Sequence, residues 1–255
     1  MSEGCRANAR AAFVSVLLAC VALAACGRAS EQGQGDMSAT AGRVDRGAGR
    51  DGGERAAGPV VYVALGDSTG VGVGARKGGG YVARLFERIE RERAGSRVTN
   101  LCVSGAETRD VIRSQLPRVR DLRPTLVTVG IGINDLTHGV EVEQFRRNYE
   151  ELAASLRAAT DAPVVVTNVP DISTAPRVPE FMHEGVRRRI ALFNEVIADA
   201  AARHGFKLVD AYGMSREIIP RHPEFFSADG FHPSDEGYEY WAKMMWPAVK
   251  ETVGA

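Results

Sequence analysis

The sequence predicts a single α/β domain of three layers, a central parallel sheet of about five strands with helices on both faces, and three features point to it. Short continuous apolar runs recur along the chain. Segments of helical periodicity separate them, and clusters of Gly, Ser, Asp and Asn follow several of the runs directly. Val60 to Leu65 is the first run, of the kind that suits a strand buried on both faces. Arg97 to Val103, Thr125 to Ile131, Pro163 to Asn168 and Phe206 to Asp210 supply four more. Between them, Tyr81, Leu85 and Ile89 share one helical face, as do Phe145, Tyr149, Leu152 and Leu156, and then Val186, Ile190, Phe193 and Ile197. Gly205 after His204 reads as a helix C-cap. Tyr238, Trp241 and Met245 mark a last helix, which Pro247 is expected to end or kink. Strands alternating with helices give a parallel sheet joined by right-handed crossovers.

The stretch before this pattern is of another kind. Arg6 and Arg10 precede an apolar run from Ala11 to Ala25, too short to span a bilayer comfortably and ending in small residues, so residues 1–25 have the layout of a secretory signal peptide. The run closes on Leu23-Ala24-Ala25-Cys26, which resembles the lipobox of bacterial lipoproteins, whose cysteine is lipidated and becomes the new N-terminus. That resemblance implies a cell-envelope protein held to a membrane through Cys26; the alternative is an ordinary cleaved signal with a chance cysteine. From Gly27 to Gly58 only Met37 and Val44 are larger apolar side chains. Such a segment buries too little surface to offset its ordering entropy and is expected to be a disordered tether, with an end-to-end distance of roughly 30 Å. Residues 26–58 are thus the linker and 59–255 the folded domain.

Composition narrows the function. With 44% hydrophobic and 25% charged residues in 255, there is enough chain for one substantial core. Lys+Arg and Asp+Glu both number 32, so no surface for nucleic acid is advertised. Three of the four cysteines, Cys5, Cys20 and Cys26, lie in the N-terminal segment, and Cys102 follows a strand-like run, where a small core residue is expected. No thiolate cluster or HExxH spacing calls for a metal.

The polar residues able to do chemistry follow successive predicted strands. Gly66-Asp67-Ser68-Thr69 follows the first, Ser104-Gly105 the second and Gly132-Ile133-Asn134-Asp135 the third, while Asp229-Gly230-Phe231-His232 lies in the loop after the last. In an open parallel sheet these loops converge at the carboxyl edge, where ligands bind. The four segments, in this order, resemble the sequence blocks of the SGNH (GDSL-type) hydrolases and span Gly66 to His232. The resemblance implies a flavodoxin-like fold, ester or thioester hydrolysis without a cofactor, Ser68 as nucleophile, Gly105 and Asn134 in the oxyanion hole, and Asp229 and His232 as acid and base. Thr69 stands where the family's name has Leu, which is expected to alter packing only.

Elementary chemistry supports the same roles. The short spacing lets a tight turn bring the Asp229 carboxylate to His232 Nδ1–H, leaving Nε2 to take the Ser68 proton during attack on an ester carbonyl. An oxyanion would be met by the backbone N–H groups of Ser68 and Gly105 and by the Asn134 amide, glycine at 105 allowing a close backbone approach. Asp67 and Asp135 are expected to accept loop N–H bonds. His138, His183 and His204 read as surface or capping residues, and His222 is the rival base.

Two other motifs overlap the first loop. Gly66 to Gly70 satisfies the G-x-S-x-G elbow of α/β-hydrolases, but that fold places several strands before its serine. Gly70 to Ala75 matches a dinucleotide-binding pattern, yet begins several residues past the strand end, and is read as a flexible loop bordering the site. The expected substrate is a small-molecule, lipid or polysaccharide ester, on lysophospholipase, thioesterase or carbohydrate O-acetylesterase lines; a non-catalytic ligand-binding lipoprotein is the competing class. Thr174 to Glu184, with Phe181 and Met182, is a candidate apolar border of the cleft.

Overall fold

In the computed structural model, residues 58–254 are described; the expectations for the apolar run 11–25, for Cys26 and for the tether up to residue 57 lie outside them. The strands are β1 (Val61–Gly66), β2 (Arg97–Asn100), β3 (Leu126–Gly130), β4 (Val164–Thr167) and β5 (Lys207–Val209). All pairings are parallel, in the order β2-β1-β3-β4-β5. The five-stranded α/β expectation therefore holds. In this order the chain leaves β1 toward opposite edges of the sheet, so a switch point opens between β1 and β3, the place where ligands bind in doubly wound sheets.

The main helices are α1 (Ser68–Val71), α2 (Tyr81–Glu92), α3 (Ile133–Thr137), α4 (Val142–Ala159), α5 (His183–His204), α6 (Ala211–Ile218) and α7 (Asp235–Thr252). Alternation along β1 sends Tyr62 and Ala64 to one face, where they pack with Tyr81, Leu85 and Ile89 of α2 and with Tyr238, Ala242 and Met245 of α7. Val63 and Leu65 join the opposite core with Phe145 and Leu152 of α4 and Ile190 and Phe193 of α5. Burying each such side chain contributes about 1.5–3 kcal/mol. The predicted helical faces are the faces that are buried, and Gly205 caps α5 in the left-handed region at φ 64°.

Pro247 neither ends α7 nor interrupts its span, which runs on to Thr252. Proline deprives the Lys243 carbonyl of its helical partner, but both residues face solvent, and the buried row Tyr238, Ala242, Met245 and Val249 holds the helix together. β5 ends earlier than expected because a cap takes over: Asp210 accepts the Gly213 N–H at the start of α6, a helix with no clear signal in the sequence. Among the described residues, no helix is long and apolar enough to cross a membrane.

Candidate active site

β1 closes on Gly66, which lies so near β3 that a Cβ there would sit 2.3 Å from the Gly130 carbonyl oxygen. Gln115, delivered by a π-helical turn over Val111–Gln115, donates to the Gly66 carbonyl and accepts its N–H, both at 2.8 Å. With the strand end clamped, Asp67 starts α1 by accepting the Thr69 N–H at 2.9 Å and the Thr69 hydroxyl at 2.8 Å. Thr69 in place of leucine thus gains a polar tie to the capping aspartate. Burial pushes the Asp67 carboxyl up from its ordinary range, against the Thr69 hydrogen bonds. Ser68 is the first residue of α1 and is buried.

His232 stands across from it, on the segment just before α7, whose N-cap is Ser234. The Ser68 hydroxyl lies 3.0 Å from His232 Nε2, and His232 Nδ1 lies 2.6 Å from Asp229 Oδ2. Asp229 Oδ1 accepts three more bonds, from the N–H groups of Phe231 and His232 and from the Ser227 hydroxyl, at 2.8–2.9 Å. Partial burial works to raise the Asp229 pKa, but His232 and these three donors outweigh it and lower it to about 2. Arg177 braces the turn by donating to the Asp229 carbonyl at 3.2 Å, and its own N–H donates to the Gly230 carbonyl. The Phe231 ring meets the His232 ring edge-on at 5.3 Å. The rival, His222, is engaged elsewhere, with Nδ1 on Glu224 at 2.7 Å and its ring stacked on Phe225.

Gly105 and Asn134 follow the strands that flank β1, so both loops border Ser68. They are tied to each other: Asn134 Nδ2 donates to the Ala106 carbonyl at 2.8 Å, and Asp135 Oδ2 accepts the Thr108 N–H at 2.9 Å and its hydroxyl at 3.1 Å. His138 Nδ1 and Glu107 add a third link at 2.8 Å. One hydrogen of the Asn134 amide is used in this way, and the second is left for another acceptor. The backbone gives a reason for glycine at 105. A Cβ there would meet nothing within 4 Å among the described residues, but φ is +80°, a left-handed conformation that favours glycine.

The glycine-rich loop borders the site as expected but is pinned. Asp235 accepts the Arg76 and Lys77 N–H groups, and Tyr238 donates to the Val73 carbonyl at 2.7 Å. The N–H groups of Gly72 and Val73 both donate to the Ser68 carbonyl, which takes them from any phosphate. Cys102 is largely enclosed, and burial pushes its thiol pKa well up. Among the described residues, no three His, Cys, Asp or Glu side chains are gathered to hold a metal ion.

A narrow apolar pocket adjoins Ser68 and His232, walled by residues such as Ile133, Val169, Ile172, Phe226, Phe231 and Trp241. The expected apolar border at Phe181 and Met182 is not part of it. Phe181 is 83% exposed, and Met182 turns into the core under α5. Ile172, a little earlier in the same connection, lines the pocket instead. Sequence reading also missed Ser227, Arg177 and Gln115; only Ser227 carried a local signal, a hydroxyl two residues before Asp229 and within reach of its carboxylate.

Residues 64–240 match the GDSL-like Lipase/Acylhydrolase family. Esterase TesA of Pseudomonas aeruginosa is 26% identical over 197 residues, covering 77% of this chain and 90% of TesA. Among solved structures, the lipase/acylhydrolase from Enterococcus faecalis superposes with a TM-score of 0.60 at 24% identity, over 74% of this chain and 95% of the other. The acetylxylan esterase Axe2 from Geobacillus stearothermophilus gives 0.61 at 20% identity, over 79% and 97%. At those identities the two structures speak for the fold, and the family match extends over most of the chain. With Ser68, His232 and Asp229 in one hydrogen-bonded line at the switch point, this chain belongs to the GDSL-like lipase/acylhydrolase family of carboxylic ester hydrolases.

Proposed function

We propose that the protein hydrolyses carboxylic esters or thioesters through an acyl-enzyme on Ser68, with His232 as base and Asp229 as its orienting partner. The observation that carries this reading is the unbroken line from Ser68 Oγ through His232 to Asp229. Asp229, ionised at any pH above about 2, holds Nδ1–H and so leaves the Nε2 lone pair facing the hydroxyl. As Ser68 Oγ attacks the carbonyl carbon, its proton passes to Nε2, and the carbonyl oxygen takes up the negative charge. The Ser68 and Gly105 N–H groups and the free Asn134 amide hydrogen are the donors for that oxyanion. Collapse expels the alcohol or thiol, which takes the proton from Nε2. Water, deprotonated by the same nitrogen, then attacks the acyl-enzyme and restores Ser68.

The apolar pocket favours an acyl group of lipid character, as in a lysophospholipase or thioesterase, over an acetylated sugar. The intact line of three side chains speaks against a purely ligand-binding role. Membrane attachment through a lipidated Cys26 is part of the proposal and rests on Leu23-Ala24-Ala25-Cys26 alone.

Ser68→Ala tests the mechanism. Ester turnover should fall on the order of 10⁶-fold in kcat, and labelling by a serine-reactive phosphonate should vanish while the circular dichroism spectrum is kept. His232→Ala should reach a similar floor and His222→Ala stay within a few-fold of wild type. Substantial turnover in Ser68→Ala would sink the mechanism.

A further inference from the structure

Ser68 and Gly105 carry the two backbone N–H groups proposed for the oxyanion, and neither group has an acceptor among the described residues. Both are placed from one shared point. β1 ends at Gly66, two residues before Ser68, and the Gly66 carbonyl accepts the N–H of Val103, two residues before Gly105, at 3.1 Å. Val103 opens the turn that presents Gly105, and the Ala106 N–H closes it on the Val103 carbonyl at 3.1 Å. The position of one donor against the other therefore depends on the Gly66 peptide groups.

Gln115 holds that point. Its carboxamide accepts the Gly66 N–H and donates to the Gly66 carbonyl, both at 2.8 Å, beyond the place where β2 has ended at Asn100. The side chain comes from the π-helical turn Val111–Gln115, whose buried residues are Val111 and Gln115, and such turns recur at functional sites. Gln115 is 2% exposed and is not among the residues that wall the apolar pocket. The chain thus leaves Gly66 at Val103 and returns to it at Gln115, and between them Thr108 is fastened to Asp135, the neighbour of Asn134. All three proposed oxyanion donors belong to this one frame, which the Gln115 amide closes.

We propose that Gln115 is a positioning residue of the hydrolytic reaction: through Gly66 it fixes the Ser68 and Gly105 N–H groups relative to each other and so sets the shape of the oxyanion hole. The inference rests on the ester-hydrolase reading above, and Gln115 itself touches no reacting atom. Loss of the amide leaves the Gly66 N–H without its partner, so the strand end has to shift to find another. A misplacement of about 1 Å at the chemistry can cost on the order of 10²-fold in rate.

Gln115→Met keeps the length of the side chain and loses both bonds, whereas Gln115→Glu keeps the acceptor for the Gly66 N–H and loses the donor. Turnover of p-nitrophenyl butanoate is to be measured beside the affinity for an alkyl boronic acid, whose tetrahedral serine adduct places an oxygen where the oxyanion forms. In Gln115→Met, kcat should fall roughly tenfold or more with KM little changed, the pattern of an interaction made only in the transition state. Boronate affinity should fall by a similar factor, and Gln115→Glu should move both quantities the same way by less. A folded variant with a lower melting temperature but wild-type kcat and boronate affinity would overturn the assignment, and so would a rise in KM alone. Loss of folding in both variants would make the clamp a matter of stability and overturn it as well. If wild type is labelled by phosphonate and turns over esters while the variants match it, only the role of Gln115 falls. If wild type shows neither labelling nor turnover of any ester, the hydrolase reading falls and this inference with it.

Discussion

In the proposed mechanism Asn134 has two tasks on one amide. One hydrogen ties the Ala106 carbonyl and so holds the Gly105 turn, and the other is the proposed side-chain donor to the oxyanion. Asn134→Ala removes both, and kcat should fall by roughly 10² to 10³, the usual loss for one oxyanion donor. Phosphonate labelling of Ser68 should remain detectable, because Nε2 of His232 is untouched. A drop in thermal stability with kcat unchanged would make Asn134 a turn residue only. Asp229 shows the same economy: one oxygen orients His232 and the other collects Ser227 and two backbone N–H groups, so the carboxylate is fixed from both sides.

At the scale of elements, the loop after β2 and the short helix α3 behave as one unit because Asp135 is buried between them. Its Oδ2 takes both Thr108 donors, while Oδ1 is buried with no hydrogen-bond partner among the described residues. Burial is the main cause that raises its pKa to about 6; the Thr108 bonds oppose the shift, and nearby Glu107 adds to it. A carboxyl raised in the folded state favours folding below its unfolded value, near 3.9, and loses that contribution as pH rises through about 6. Asp135→Asn, which keeps an oxygen for Thr108 but carries no charge, should therefore gain on wild type as pH rises from 4.5 to 7.5. The change in relative stability should reach about 2 kcal/mol by denaturant titration at the two pH values. A difference independent of pH would mean that Asp135 titrates as an exposed carboxylate.

For the whole molecule, the proposal joins a hydrolase domain to a membrane through residues 26–58, and the two parts should separate cleanly. Wild-type protein from a bacterial host should begin at an acylated Cys26 and partition with membranes, since several chains on one residue anchor firmly where a single chain does not. Cys26→Ser should be released or left as uncleaved precursor, with kcat/KM on a soluble ester unchanged. Intact mass spectrometry decides: a mature chain that starts elsewhere, or carries no acyl mass, refutes the lipoprotein assignment and leaves the hydrolase standing.

The sequence by itself determined the parts whose signals are local. Apolar runs and helical periodicity placed the five strands and the buried faces of α2, α4, α5 and α7, and glycine after His204 marked the end of α5. The residues of the proposed site could be nominated for the same reason, since each sits in a short motif directly after its strand, or just before α7 in the case of Asp229 and His232. What only the tertiary structure decided was which distant pieces meet. Gln115 clamping Gly66 from 49 residues away, Arg177 bracing the Asp229 turn from 52, and the choice of Ile172 over Phe181 for the pocket wall have no signature in their own neighbourhoods. Pro247 is the plainest case. Its local rule predicts an end or a kink, and the helix does not end there because the buried row on the other side holds it, packing across α2 and the sheet outweighing one missing hydrogen bond.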